Sequence, residues 1–277
     1  MAIKVCLDAG HYGKYNRSPG NRNYYESDMV WKLHLYLKEQ LESYGISVVT
    51  TRDNQETDRG LYERGAASKG CSLFISLHSN ATGNDMNEKV DYPVAYVLLN
   101  GRSDDVGLKL AKVVEEVIGT KQSGRTATRR GNNGEYYGVL RGANAVGTPA
   151  LILEHSFHTN SVVTNWLLKD DNLKKLAEEE AACIAEHYGI KKLKSTVTDE
   201  NKTATAFKPY LVRVSISDLN IRKGPGTNHS TMGKYTGKGV FTIVEEAEGK
   251  GAKKWGLLKS YSDKRNGWIS LDFAKKI

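Results

Sequence analysis

The sequence predicts an α/β fold with a mostly parallel sheet flanked by helices, followed by a small all-β barrel. Strand-like apolar runs alternate with amphipathic helical segments through residues 1–190, and this alternation favours a parallel sheet. From residue 210 onward, short strand-like runs are separated by Gly, Asn and Ser-Asp turns, a spacing typical of small barrels. We therefore expect two domains, 1–190 and 209–277, joined by a Lys- and Thr-rich linker at 191–208.

Three predicted strands of the first domain end at a histidine or a glutamate. Apolar and polar residues alternate from residue 3 to His11, while the runs 73–77 and 150–153 lead into His78 and Glu154. In open α/β sheets, functional sites form beyond the carboxyl ends of the strands. We therefore expect His11, His78 and Glu154 to meet there, although they are far apart in sequence.

Hydrophobic periodicity predicts the remaining elements of the first domain. A helix is expected to open at Glu26 and to end before Gly45, and residues 119–134 are basic and glycine-rich without a core pattern. The other predictions are strands at 46–51, 94–99 and 136–141, and helices at 61–68, 106–118 and 165–188.

Composition limits the compartment and the partners of the protein. No apolar run approaches the ~20 residues of a membrane span, and the chain enters a strand almost at once, so we expect cytoplasmic synthesis without a signal peptide.

Residues 191–277 carry 18 basic and 8 acidic groups, a net charge of +10, whereas residues 1–190 carry −2. This asymmetry predicts an anionic partner for the second domain. No recognised nucleic-acid motif accompanies the charge, so we expect no nucleic-acid partner.

The strand-end residues are of the types that zinc hydrolases use. Such sites combine three His or carboxylate ligands with a position for water, and a separate carboxylate moves the proton. His11, His78 and one acidic residue could be the ligands, with Glu154 as the proton shuttle. Glu26 is the natural third ligand because it follows His11 across a loop that can fold back. A carboxylate that ends an apolar run must be paired or functional, which strengthens the case for Glu154.

Each candidate also has a simpler interpretation. A histidine at a strand end is often only a hydrogen-bonded loop residue, and Glu26 could merely stabilise a helix N-terminus. His155 and His158 flank Glu154 and compete with it. Strand alternation turns His155 away from the face of Glu154, whereas His158 could line the cleft.

The first domain contains an ordered set of motifs: Asp8-Ala-Gly-His11, Glu26, Thr51-Arg52, Leu61-x-x-Arg64, the run from Leu73 to His78-Ser-Asn-Ala81, and Pro149-Ala-Leu-Ile-Leu-Glu154-x-x-Phe157-x-Thr-Asn160. In their order and spacing, over nearly all of residues 1–190, these motifs resemble the type 3 N-acetylmuramoyl-L-alanine amidases. The resemblance implies a twisted sheet of about six strands. It also implies Zn²⁺ held by His11, Glu26 and His78, with Glu154 as catalytic acid and base. The implied reaction is hydrolysis of the amide that joins N-acetylmuramic acid to L-alanine in peptidoglycan.

Two departures from the family pattern lie close to these residues. The family often has Gly-Gly after the first histidine, where this chain has Tyr12-Gly13. The usual Glu-x-Gly-Phe becomes Glu154-His-Ser-Phe157, which could alter how the peptide stem is held. No expected ligand position is lost.

The second domain is similar to bacterial SH3-type wall-binding domains. The similarity rests on Leu219-Asn-Ile-Arg-Lys-Gly-Pro-Gly226, Gly233, Trp255-Gly-Leu-Leu and Gly267-Trp-Ile-Ser270. It implies an SH3-like barrel that holds the enzyme on peptidoglycan or anionic wall polymers. At least one of Trp255 and Trp268 is expected in the barrel core, with Tyr261 as a ligand contact.

The combined expectation is a lytic enzyme, a phage-type endolysin or an autolysin, that acts at the bacterial cell wall after release. Two alternatives remain at this point. One is a zinc peptidase that cuts within the stem peptide, and the other is a wall-binding protein without activity.

Overall fold

The chain divides into two compact units, Met1–Thr196 and Val197–Ile277, in a computed structural model that describes residues 3–132, 134–191, 207–259 and 267–277. Most of the predicted linker and Tyr261 lie outside the described residues, and the predicted domain boundaries remain predictions. Within the described ranges, no helix has the length and apolar content that crossing a membrane requires.

The first unit is built on a six-stranded, mostly parallel sheet between helices, which confirms the predicted α/β class. The strand order is β2-β1-β3-β8-β4-β5, and the β4–β8 pair is antiparallel. A short β6–β7 hairpin stands outside this sheet. The strands are β1 (Lys4–Ala9), β2 (Ser47–Thr50), β3 (Leu73–Asn80), β4 (Val94–Val97), β5 (Arg125–Ala127), β6 (Arg130–Gly131), β7 (Gly134–Glu135) and β8 (Ala150–Phe157).

Strand alternation divides the core of this unit into two layers. Leu7 and Leu153 point to the layer covered by α1, α3 and α6, whereas Cys6 and Ile152 point to the opposite layer, covered by α4. The helices are α1 (Glu26–Ser43), α2 (Leu61–Ala66), α3 (Asp104–Ile118), α4 (Gly138–Ala145), α5 (Ser161–Leu167) and α6 (Asp170–His187).

Two element predictions were wrong. The strand expected at 136–141 is the start of α4, since a short apolar run does not distinguish a strand from a buried helix. The single helix expected at 165–188 is two helices, because the Asn160 side chain caps α5 and a new helix starts at Asp170. Residues 119–134 contain β5, an edge strand without buried residues and therefore without a core pattern.

The second unit is an antiparallel sheet of seven described strands. Their order is β11-β10-β14-β13-β12-β9-β15. Trp255 is buried, as expected of a core residue, and Trp268 is half-buried. The strands are β9 (Tyr210–Val214), β10 (Asn220–Arg222), β11 (Thr231–Tyr235), β12 (Gly239–Gly249), β13 (Ala252–Leu258), β14 (Trp268–Ser270) and β15 (Ala274–Lys276).

Candidate metal centre and active-site cleft

The ends of β1 and β3 bring two histidines together. The Gly10 amide donates a hydrogen bond to the Leu77 carbonyl over 3.1 Å. A Cβ on Gly10 would lie 2.3 Å from the His78 ring, so glycine is the residue that allows this close approach. The His11 and His78 rings meet edge to face with centroids 4.9 Å apart.

The loop between His11 and α1 folds back as the zinc hypothesis requires. Arg17 and Tyr25 form an isolated antiparallel bridge, so the loop reverses direction as a hairpin does. The Glu26 amide then donates to the Asn16 carbonyl over 2.9 Å, placing Glu26 at the start of α1 and beside the histidines. Tyr12, which stands where the family often has glycine, is 42% exposed and lines the cleft.

His11, Glu26 and His78 form a compact cluster in which one potential ligand atom from each lies within 4.8 Å of the others. Glu26 Oε2 is 3.1 Å from His11 Nε2, and Glu26 Oε1 is 2.8 Å from His78 Nδ1. The Ser79 amide donates to Oε1 over 2.9 Å and the Asn16 side-chain amide to Oε2 over 2.7 Å, so both carboxylate oxygens are oriented. Two imidazoles and a carboxylate are a donor set that suits Zn²⁺.

The charges within the cluster are mutually stabilising. Burial alone would raise the pKa of Glu26, but hydrogen bonds with His11 and His78 hold it well below its usual value. Burial would lower the pKa of His78, but the hydrogen bond to Glu26 raises it to about 9. The carboxylate therefore attracts positive charge between the two rings, and a divalent cation could supply that charge in place of ring protons.

Glu154 stands next to this cluster on the neighbouring strand. It is the register partner of His78 in the β3–β8 pair, and both residues line the same cleft. Its Oε2 atom is buried without a hydrogen-bond partner among the described residues. Burial raises the pKa of Glu154 to about 7, although the charge of His78 opposes the shift. An unpartnered buried carboxylate oxygen is costly in a structural role, so this observation favours a functional one.

His155 supports the site from behind, on the face away from Glu154. Its Nδ1 lies 2.8 Å from the His78 carbonyl and its Nε2 lies 2.7 Å from Glu180 Oε1, with both side chains buried. Glu180 is not among the residues predicted from the sequence. Its signal is a glutamate within the apolar stripe of α6, next to Ala181 and between Ala177 and Ile184.

Five other motif residues support the strand ends. Asp8 is buried and accepts hydrogen bonds from Ser76 over 2.7 Å and from Thr51. Arg64 lies 3.8 Å from Asp8, and Arg52 donates to the Ala9 carbonyl. These contacts hold the carboxyl end of β1, from which His11 projects.

The cleft has a volume of about 630 Å³, within the range of small-molecule sites. Tyr15 stacks on His11 with centroids 4.8 Å apart, and Tyr137 contributes a second aromatic side chain to the lining. Aromatic walls with a few convergent polar groups are typical of sites that bind small organic ligands.

Comparisons with known proteins place the first unit in a family. Residues 5–186 match the family model described as N-acetylmuramoyl-L-alanine amidase. A search among curated proteins finds no match to this chain.

Several solved structures are similar to the first unit. Cwp6 from Clostridium difficile is 25% identical with a TM-score of 0.58, over 67% of this chain and 29% of Cwp6. The catalytic domain of CwlV, an N-acetylmuramoyl-L-alanine amidase from Bacillus (Paenibacillus) polymyxa var. colistinus, is 23% identical with a TM-score of 0.57, over 68% of this chain and 99% of that domain. AmiC2 of Nostoc punctiforme, also an N-acetylmuramoyl-L-alanine amidase, is 24% identical with a TM-score of 0.54, over 68% of this chain and 97% of AmiC2. Because the family model matches well over half of its residues, the chain belongs to the N-acetylmuramoyl-L-alanine amidase family.

Proposed function

We propose that this chain is a zinc-dependent amidase that hydrolyses the bond between N-acetylmuramic acid and L-alanine in peptidoglycan. His11, Glu26 and His78 are the proposed Zn²⁺ ligands, and Glu154 is the proposed acid and base. One observation carries the proposal: three potential ligand atoms converge within 4.8 Å of one another, next to Glu154, whose buried Oε2 atom has no hydrogen-bond partner among the described residues. Family membership supports the choice of bond.

The mechanism divides the work among these groups. Zn²⁺, when bound, polarises the scissile carbonyl and makes water more acidic. Glu26 is oriented for ligation by the Ser79 amide and by Asn16. Glu154 Oε2 takes a proton from the attacking water and later delivers it to the nitrogen of the leaving L-alanine. A pKa of about 7 suits a carboxyl group that must do both.

The second unit is proposed to be an SH3-type wall-binding domain that makes the enzyme lytic. The supporting observations are the Leu219-Asn-Ile-Arg-Lys-Gly-Pro-Gly226 motif and the net charge of +10 over residues 191–277. A basic unit is attracted to anionic wall polymers. Tethering raises the local concentration of the catalytic unit near its bonds.

Digestion of purified cell walls by the full chain tests the proposal. We expect new L-alanine amino termini and muramic acid without peptide. Glu154→Gln should lower the rate by about 10²–10⁴-fold while zinc content stays unchanged. Glu178→Gln, at an exposed position of α6, is the matched control and should leave the rate unchanged.

Two results would contradict the proposal. New amino termini elsewhere in the stem would identify a peptidase, and unchanged lysis by Glu154→Gln would point to a wall-binding protein. Removal of metal with a chelator should abolish cleavage, and added Zn²⁺ should restore it.

A further inference from the structure

His158 lies in the same cleft as Glu154, four residues further along the chain. β8 bends before it, because Ser156 adopts a φ of 60° and the register of the β3–β8 pair shifts. The His158 amide then donates to the Asn80 carbonyl over 2.8 Å. The side chain is 3% exposed and still lines the cleft with Glu154 and His78.

One nitrogen of the His158 ring is committed to the protein. Nδ1 lies 3.0 Å from the Ser79 carbonyl and 2.9 Å from the Ser79 hydroxyl. Because a carbonyl oxygen can only accept, the contact with the Ser79 carbonyl favours the tautomer that carries its proton on Nδ1. In a neutral imidazole the other nitrogen, Nε2, is then a hydrogen-bond acceptor.

The ring is held rigidly in this orientation. The hydroxyl of Tyr24 lies 2.7 Å from the Ser79 hydroxyl, and the Tyr24 ring stacks on His158 with centroids 5.8 Å apart. Tyr24 is fully buried, so this support does not depend on solvent. Burial also lowers the pKa of His158, which favours the neutral form of the ring.

Among the described residues, Nε2 of His158 has no hydrogen-bond partner, in contrast to both nitrogens of His155. In this buried imidazole, one nitrogen is hydrogen-bonded to the protein and the other is available to a ligand. This arrangement is typical of a ligand-binding histidine rather than of one that only packs in a core. Because His158 lines the cleft, a ligand bound in the cleft can reach Nε2.

We propose that His158 contacts the substrate and that its Nε2 accepts a hydrogen bond from an N–H or O–H group of the bound muramoyl peptide. The inference rests on the proposed function and deepens it, since it assigns a specificity-determining residue to the same cleft. The donor group belongs either to the sugar or to the peptide stem, and substrates of different length distinguish these sources.

Two variants test the roles of the two ring nitrogens of His158 separately. His158→Asn keeps an amide donor near the position of Nδ1 and removes Nε2, whereas His158→Gln can place an amide oxygen near the position of Nε2. We expect His158→Asn to lower kcat/KM by about 10–100-fold, the range of one lost hydrogen bond to substrate, and His158→Gln to recover part of this loss. Both variants should keep their zinc content and Tm.

Substrate length locates the donor group. Each variant is assayed with N-acetylmuramoyl-L-alanine and with N-acetylmuramoyl peptides of increasing stem length. A loss already present with the shortest substrate assigns the donor to the sugar or the first residue. A loss that appears only with longer stems assigns it to the peptide.

A binding experiment decides the case even if a variant folds poorly. In Glu154→Gln protein labelled with ¹⁵N-histidine, addition of an uncleaved N-acetylmuramoyl peptide should shift the His158 Nε2 resonance. An unshifted resonance, or equal kcat/KM for His158→Asn and the unmodified chain, would overturn the inference. Absence of L-alanine release by the unmodified chain would instead overturn the proposed function.

Discussion

Ser156 shows how a single residue combines backbone strain with a compensating hydrogen bond. Its φ of 60° lies in the left-handed region that favours glycine, and the family pattern usually has glycine here. The Ser156 hydroxyl donates to Asp91 Oδ1 over 2.9 Å, and both side chains are buried. The bond therefore offsets part of the conformational cost at the bend between Glu154 and His158.

Two substitutions at this position separate the strain from the hydrogen bond. Ser156→Ala should lower the free energy of unfolding by about 1–3 kcal/mol, because it removes the bond to Asp91 and keeps the strained backbone. Ser156→Gly removes the same bond but relieves the backbone strain. The free energy of unfolding should therefore fall by about 1–2 kcal/mol less in Ser156→Gly than in Ser156→Ala. Urea unfolding of both variants measures the difference. Equal losses would mean that the bend carries no conformational cost.

The cleft residues differ in how far the sequence reveals them. His11, His78 and Glu154 could be predicted because each follows a strand-like run near the carboxyl end of a strand. The predicted ends were early for two of them, since β3 and β8 continue past His78 and Glu154 to Asn80 and Phe157. The loop return that brings Glu26 to them depends on backbone contacts of Asn16 that no local pattern encodes. Glu180 stands out only as a glutamate within the apolar stripe of α6, and this pattern does not identify its partner His155, which lies 25 residues earlier in the chain.

At the scale of elements, α2 and α4 are held together by glycines on both helices. A Cβ on Gly65 would lie 1.9 Å from the Val139 carbonyl oxygen, and one on Gly142 would lie 2.0 Å from the Tyr62 carbonyl oxygen. Both contacts are with backbone, which cannot rotate away. The helices therefore approach each other more closely than any side chain at these positions would allow.

Gly142→Ala should separate the two helices. We expect a loss of about 1–3 kcal/mol in the free energy of unfolding, together with a lower kcat/KM because Tyr137 and Val139 line the cleft. Gly60→Ala is the matched control, since its φ is −55° and an added Cβ would meet no atom closer than 3.6 Å. Thermal unfolding and muropeptide cleavage measure the two effects. A Gly142→Ala protein as stable and active as Gly60→Ala would contradict this account of the packing.

A helix or strand is easier to predict from the sequence when its pattern of apolar residues is long. β1, β3 and β8 are predictable because their apolar runs are long and end abruptly, and α1 because its apolar stripe spans five turns. The apolar signal of α4 is confined to a short stretch, so a strand and a helix fit it equally well. α4 also packs closely against α2, a tertiary contact that local periodicity does not reveal.

At the scale of the whole molecule, charge is separated between the two parts of the chain. Residues 1–190 carry a net charge of −2 and residues 191–277 carry +10. Composition alone therefore predicts two different roles for these parts. The strand pairing at one edge of the second unit cannot be predicted from composition, because β9 pairs with β15, which lies about 60 residues later in the chain.

Removal of the second unit should affect walls and soluble substrates differently. A chain that ends at Thr196, the last residue of the first unit, should digest walls at least about tenfold more slowly than the full chain, because it loses the tether. Cleavage of a soluble N-acetylmuramoyl peptide should be unchanged, which controls for folding of the shortened protein. Added salt should weaken wall binding of the full chain and reduce the difference. Equal digestion of walls by both chains would remove the targeting role from the second unit.

The bond between His155 and Glu180 has a consequence for the order in which the protein matures during its synthesis. The ribosome makes His11, Glu26, His78 and Glu154 before it makes Glu180, which belongs to the last helix of the first unit. A nascent chain that stops short of α6 contains every proposed ligand but leaves a buried imidazole without its carboxylate partner. The support of β8 through His155 is thus completed only after α6 has been synthesised and has packed against the sheet.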